Sequence, residues 1–387
     1  MKALVFERSL ARFAAAKVAG ALAPGRGAGP GPLRLKDVDV PARDGWHRVR
    51  PRLAGICGSD LSTIDGASSR YFEPIVSFPF VPGHEIVGDL DDGTRVVVEP
   101  VLHCAIRGIA PVCDHCAAGQ TNRCERVAFG HLEPGLQTGF CEDTGGGWST
   151  AMLAHDLQLH RVPDDFTDEM AVMVEPTACG VHAAASVTEE HVVVLGAGTI
   201  GLCVVAALQS PSGSGSGKHD KTVVVAAAKH PIQRGLATEL GATVHTPDEL
   251  EGVIRRRTHS MLIGDQLTGG ADCVVDCIGS SQSLQQALRI VAPGGTIYVV
   301  GMPATVNLDL TGLWHREVRI QGTYAYTHEE FERAFDVVRA KDLGRLVSAT
   351  YPLDRWKDAI RHAAEAGRRG AVKIAFDLRN EKERERL

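Results

Sequence analysis

The stretch His191-Val-Val-Val-Leu-Gly196-Ala-Gly198-Thr199-Ile200-Gly201-Leu202 decides the fold of this 387-residue chain. Its apolar start has the pattern of a buried strand, and a G-x-G-x-x-G turn then opens an apolar helix. Each glycine has a physical task. Gly196 permits the tight turn, Gly198 lets the backbone approach a pyrophosphate, and Gly201 lets helix and strand pack closely. The helix N-terminus attracts phosphate charge, with Thr199 and Ile200 in its first turn completing the cofactor-binding set. The apolar run Val192–Leu208 has the length of a short membrane span, but strand, turn and helix account for its three glycines better.

Downstream, strands at Val223–Ala226, Cys273–Cys277 and Thr296–Val300 alternate with helical segments. That is the βαβ rhythm of a parallel, doubly wound α/β sheet of the Rossmann kind. A carboxylate at the end of the second strand would hold a ribose 2′-hydroxyl and favour NAD. Here the strand runs into Ala227-Ala228-Lys229-His230 with no acid. Lys229, His230 and Arg234 stand where a 2′-phosphate would lie, which favours NADP, with NAD as the alternative. Residues 210–220 are a Gly/Ser-rich loop with no chemical role. A helix at Glu329–Lys341 leads to a strand–helix–strand pattern ending at Phe376, and the charged tail Arg379–Leu387 is expected to fray.

Upstream the texture differs. The first 160 or so residues are rich in Gly, Pro and short Val-rich runs such as Trp46–Leu53 and Thr94–Val98, which predicts a β-rich, barrel-like unit. Met1–Phe6 reads as a strand, residues 20–32 as a loop, and residues 168–187 as helical. The length alone favours two domains. A hydrophobic content of 44%, 23% charged residues and a net charge of −6 describe an ordinary globular enzyme and argue against nucleic acid or a membrane as partner. With no h-region or cleavage pattern at its start, the chain reads as cytoplasmic.

Ten cysteines in such a chain fit metal binding and core packing better than disulfides. Five fall between residues 57 and 124. Gly55-Ile-Cys57-Gly-Ser59-Asp60 ends a predicted strand, and Pro82-Gly83-His84-Glu85 follows 27 residues after the cysteine. Catalytic zinc takes three ligands from Cys, His and carboxylate and keeps one position open. Cys57 and His84 supply two, and Val174-Glu175-Pro176-Thr-Ala-Cys179 offers Glu175 or Cys179 as the third. Cys104, Cys113, Cys116 and Cys124 form a second set whose four thiolates would close a structural site. His103 and His115 are alternatives for its fourth ligand. Cys141, Cys203, Cys273 and Cys277 read as core thiols.

Through Gly-Ile-Cys-Gly-Ser-Asp, Pro-Gly-His-Glu, the cysteine run, Gly-Ala-Gly-Thr-Ile-Gly and Pro293-Gly294-Gly295, nearly the whole chain resembles the zinc-dependent medium-chain dehydrogenase/reductase family of alcohol, polyol and threonine dehydrogenases. The resemblance implies a GroES-like catalytic domain at 1–163, completed by 324–387, around a Rossmann domain at 164–323, with the active site in the cleft between them. It implies Glu175 as the third ligand, Glu85 as a carboxylate close to the metal, and Asp60 as the group that orients His84. Ser59 matches a hydroxyl that relays the substrate proton, and Gly279, Val300 and Gly301 match strand ends that approach the nicotinamide.

The implied cofactors are two Zn²⁺ per chain and NADP. The implied reaction is reversible hydride transfer between the cofactor and a secondary alcohol or polyol, the metal making the alcohol acidic. A zinc-dependent aldehyde or ketone reductase and a non-catalytic NADP-binding protein are the alternatives, and a homo-oligomer, dimer or tetramer, is expected. The chain departs from the family at Ser62, where a histidine often extends the proton relay, and in the eight residues between Cys104 and Cys113, where a Cys-x₂-Cys step is usual.

Overall fold

The computed structural model describes residues 1–39, 42–211, 223–302 and 305–379. Most of the Gly/Ser-rich loop read at 210–220, and the tail after Arg379, lie outside the described residues. The chain forms two compact units, Met1–Glu175 with Asp342–Leu387, and Pro176–Lys341. Among the described residues no helix is long and apolar enough to cross a membrane.

The first unit is built on a strongly bent, largely antiparallel sheet. Its spine is Trp46–Gly55, flanked by Lys373–Asp377 on one side and by Ile86–Asp89, Arg95–Val98 and Leu159–Arg161 on the other. Met152–His155 also pairs with the spine, and Val347–Tyr351 lies parallel to Lys373–Asp377. The register fixes the site. Ala54 faces Ile86, Gly55 faces Ala375, and the Gly55 N–H donates to Glu85 O at 2.9 Å. The residues just after the spine and those just before the two flanking strands are therefore neighbours. Beneath them lies Trp148, fully buried, its indole N–H donating to Gly55 O at 3.0 Å and its ring edge-on to Phe376.

The second unit holds six parallel strands in the order Thr243–His245, Val223–Ala227, His191–Leu195, Ala271–Asp276, Val291–Val299 and Arg319–Gly322. Numbered along this unit, the order is 3-2-1-4-5-6, that of a dinucleotide-binding sheet, and it reverses between His191–Leu195 and Ala271–Asp276. Val193, Leu195, Val225, Val274 and Ile297 form its apolar interior.

Two features differ from the sequence reading. Residues 164–175 belong with the first unit, where the buried Asp168 carboxylate accepts hydrogen bonds from Arg52, Arg95 and Arg379. Residues 324–341 belong with the second, where Glu330 pairs with His182 at 2.8 Å. The segment read as a loop at 20–32 is partly helical, with an α-helix at Leu10–Leu22 and a 3₁₀ turn at Arg26–Ala28. The Asp65 carboxylate anchors that turn, accepting from the N–H groups of Gly25 and Gly27.

Candidate active site and metal centres

The spine strand ends at Gly55, and two residues on Cys57 caps a short helix, Gly58–Ile64. Asp60 sits in the first turn and accepts the Cys57 N–H at 3.0 Å, so cysteine and carboxylate are fixed together. Across the sheet end, Gly83 turns the chain with φ +97, and a Cβ there would stand 2.4 Å from the Trp148 ring. Only glycine lets His84 and Glu85 enter over that indole. Gly55 serves the same end, because a Cβ on it would meet Glu85 Oε2 at 1.8 Å.

The donor atoms of Cys57, His84 and Glu85 lie within 4.8 Å of one another. His84, Glu85, Asp60 and Glu175 are buried. His84 Nδ1 and Asp60 Oδ1, 3.7 Å apart, have no hydrogen-bond partner. Burial alone would lower the His84 pKa, but the Asp60 carboxylate, Cys57 and Glu175 outweigh it and raise the pKa well above its ordinary value. Burial pushes the Asp60 carboxyl up, against the pull of His84. Sulfur, imidazole and carboxylate gathered in a negative, unsatisfied cluster fit a divalent cation, and zinc in particular.

One partner was not foreseen. Lys373, 1% exposed, opens the strand beside the spine and places its ammonium on both Glu85 oxygens, 2.5 Å from Oε1, and 3.3 Å from Ile56 O. Burial would lower its pKa, yet the charges of Glu85 and Cys57 raise it. Its sequence signal is a single charge in the apolar run Ala371–Phe376. Ser59 lies half-buried in the first turn of the helix, and Ser62 one turn on; the Ser59 carbonyl accepts from Thr63 Oγ1. Cys179 belongs to the second unit. Phe140 lies with its ring 5.9 Å from that of His84.

The second cysteine set is also gathered. The sulfurs of Cys104, Cys113, Cys116 and Cys124 all lie within 4.8 Å of one another, with Cys104 and Cys124 3.6 Å apart. Sulfurs on a tetrahedral zinc at ~2.3 Å stand roughly 3.8 Å apart, so the spacing fits a tetrathiolate. Backbone N–H groups of Cys113 and Arg126 point at the sulfurs of Cys104 and Cys124. Burial opposes ionisation of Cys113, but amides and neighbouring thiols outweigh it and bring its pKa to about 6. His115 is turned away, with Nδ1 on Gln120, and neither it nor His103 joins the group.

In the second unit the glycine turn occupies the strand ends at the order reversal. Gly196 has φ +87, and a Cβ on Gly201 would fall 1.8 Å from Gly196 O, which forces helix and strand together. The space at Gly198 is open for 4 Å, as close approach of a ligand requires. Thr199 and Ile200 begin the helix Thr199–Leu208. Asp276, fully buried, holds the next two strand ends: its carboxylate accepts from Ile278 and Gly279, and its carbonyl from Val300 and Gly301. Beyond Val223–Ala227, Lys229 is exposed and His230 caps the next helix. Arg234 donates to Lys229 O at 2.9 Å. Cys141, Cys203 and Cys273 are fully buried, and Cys277 is partly so.

Fold and sites together define a zinc-binding, nicotinamide-dependent dehydrogenase. Residues 43–164 match the alcohol dehydrogenase GroES-like domain and residues 217–340 the zinc-binding dehydrogenase model. The sorbitol dehydrogenase of Bacillus subtilis is 25% identical over 82% of this chain and 86% of its own. Two solved structures, each 22% identical with a TM-score of 0.70 and covering 97% of this chain, share the fold. One, covered over 99% of its length, is an Escherichia coli protein described as a short chain alcohol dehydrogenase and holds NADH. The other, covered over 98%, is a provisionally assigned zinc-binding dehydrogenase of Sinorhizobium meliloti with NADP. The chain belongs to the zinc-dependent medium-chain dehydrogenase/reductase family and is an NAD(P)-dependent alcohol dehydrogenase.

Proposed function

We propose that this enzyme interconverts a secondary alcohol or polyol and its ketone, with NADP(H) and a zinc ion held by Cys57, His84 and Glu175. The observation that carries the reading is the buried cluster itself, in which the sulfur of Cys57, the imidazole of His84 and the carboxylate of Glu85 converge, with Lys373 set against the carboxylate. Glu85 is the carboxylate whose oxygen stands with the Cys57 and His84 donors, and it is paired with Lys373. Glu175, buried and close enough for its charge to act on His84, is assigned the third ligand position.

Zinc held there supplies Lewis acidity, which lets an alcohol hydroxyl ionise near neutral pH. The residues supply the rest. Asp60, with an oxygen 3.7 Å from His84 Nδ1, would orient the imidazole. Ser59 takes the hydroxyl proton. Ser62 stands one turn on and holds no charge near neutral pH, so the proton leaves by hydroxyls and water. Phe140 offers an apolar wall beside His84 that keeps water from the reacting carbon. In the second unit, Gly196–Gly201 cradle the pyrophosphate, and Gly279, Val300 and Gly301 border the nicotinamide half.

The polyol class is supported by the named activity of the Bacillus subtilis relative. NADP is supported by Lys229, His230 and Arg234 at a strand end without a carboxylate. The four-cysteine set is assigned a second, structural zinc. The test is metal analysis combined with kcat/KM for a panel of polyols and simple secondary alcohols, each with NADP and NAD. Two zincs per chain, chelator-sensitive turnover and a preference for polyols with NADP are expected. A clear NAD preference overturns the cofactor choice, and turnover untouched by complete zinc removal overturns the mechanism.

A further inference from the structure

The four-cysteine lobe contains a buried cation that, among the described residues, makes no hydrogen bond to a carboxylate. Arg107 is fully buried in the loop between Cys104 and Cys113. Among the described residues its guanidinium bonds only to backbone carbonyls: Nε to Leu102 O at 3.1 Å, Nη1 to Phe129 O at 3.0 Å and Leu132 O at 3.1 Å, and Nη2 to Gly135 O at 2.5 Å. Glu133 O accepts from both terminal nitrogens at 3.3 Å. Leu102 precedes the first thiol by two residues, and residues 129–135 follow the last thiol. The one side chain therefore ties together both ends of the segment that carries all four sulfurs.

The loop is shaped to deliver it. Arg107 N–H donates to His103 O and Ile109 N–H to Cys104 O, making a helical turn directly after the first thiol. Gly130, at φ +93, lets the far strand pass close, since a Cβ there would stand 2.4 Å from Arg107 O. Burying an arginine among neutral carbonyls costs several kcal/mol unless charge nearby repays it. Four thiolates around a divalent ion carry two net negative charges. Cys141, Cys124, the Asp143 carboxylate and Cys104 are the groups whose charge acts on Arg107 against its burial, two of them sulfurs of the set.

We propose that Arg107 is the positioning residue of this lobe: it closes the Cys104–Cys124 segment from both ends and is the buried counter-cation that makes the tetrathiolate metal site retentive. The inference rests on the structural-zinc reading of the four cysteines. It explains how the eight-residue gap between Cys104 and Cys113 serves a site whose first two ligands usually stand closer, because the gap is the turn that inserts the guanidinium.

The test uses the full chain with Arg107→Met, Arg107→Lys and, as a control, Arg123→Met, which removes an exposed cation of the same lobe. Zinc per chain and the rate of zinc transfer to a colorimetric chelator are measured, with the sulfur-to-metal charge-transfer band after cobalt substitution. Losing a group that supports the metal ligands from outside costs about ten- to a hundredfold in metal affinity. Arg107→Met is expected to release the lobe zinc about ten- to a hundredfold faster and to weaken the cobalt–thiolate band. Arg107→Lys, with charge but no fork, should fall between, and Arg123→Met should match wild type. Dinucleotide binding by the second unit checks that each variant has folded. Arg107→Met releasing zinc at the wild-type rate, or Arg107→Lys no better than Arg107→Met, overturns the proposal. Only one zinc in the wild type overturns the underlying zinc reading instead.

Discussion

Replacing Lys373 by methionine isolates the charge balance at the active site. In the native protein both oxygens of Glu85 face the ammonium, and both side chains are 1% exposed. Two unit charges at 2.5 Å attract by roughly 7 kcal/mol at an effective dielectric of about 20. Dehydrating the two groups costs several kcal/mol each, so the intact pair contributes little net stability over an apolar pair. The single variant differs, because it leaves the Glu85 carboxylate buried and Ile56 O without its donor. Breaking a buried pair on one side costs about 3–5 kcal/mol. Urea unfolding of the chelator-treated protein should show that loss, since a bound metal would itself shelter Glu85. The double variant Glu85→Met with Lys373→Met should recover at least half of it. A loss under about 1 kcal/mol, or a double variant no more stable than the single one, would refute the reasoning.

Cys57→Ser should remove detectable turnover, whereas Ser62→Ala should cost less than about tenfold in kcat, because the first proton transfer rests on Ser59; equal losses would show the relay to be misassigned. Arg234→Ala should lower kcat/KM with NADP about ten- to a hundredfold, the worth of one charge-assisted contact, and leave the NAD value nearly unchanged. Glu330→Gln should destabilise the second unit by about 1–3 kcal/mol at pH 7 through loss of its bonds to His182 and Thr327. Burial pushes that carboxyl up, but His182 and the Thr327 amide outweigh it and hold it below 4.5. A lowered carboxylate pKa gives stability that is present above the unfolded value and lost as pH falls through the folded one. The gap between wild type and variant, followed by urea midpoints, should therefore close below about pH 4.5.

What the sequence makes legible follows from distance along the chain. The strand–turn–helix at His191–Leu208 can be read because its glycine spacing and apolar run are local, and the six-stranded order then follows from repetition of the same unit. The helix Leu10–Leu22 is illegible for the opposite reason. Ala16 is its only buried residue, so it has no apolar periodicity, although its alanines and leucines favour helix. The unit boundary depends on single contacts between distant residues, such as Asp168 with Arg379, 211 positions apart. Lys373 is hidden likewise: 288 residues separate it from Glu85, and only the sheet register brings them together.

The two cysteine-bearing centres meet the same electrostatic demand differently. Each gathers more negative groups than a metal-free interior tolerates, and each has one fully buried basic side chain. At Cys57 and His84 that cation is a lysine, a compact charge that engages one carboxylate and leaves the remaining donors open. A centre that must admit and release substrate needs such an open position. At the four thiols it is an arginine, whose planar fork spreads over five carbonyls and locks the surrounding chain. A closed site needs a rigid frame and no vacancy. Exchanging the two residue types would therefore not be neutral at either place. A lysine at 107 has three donors for the five carbonyls, and an arginine at 373 would have to fit a larger group beside Cys57, where Gly55 already leaves no room for a single methyl.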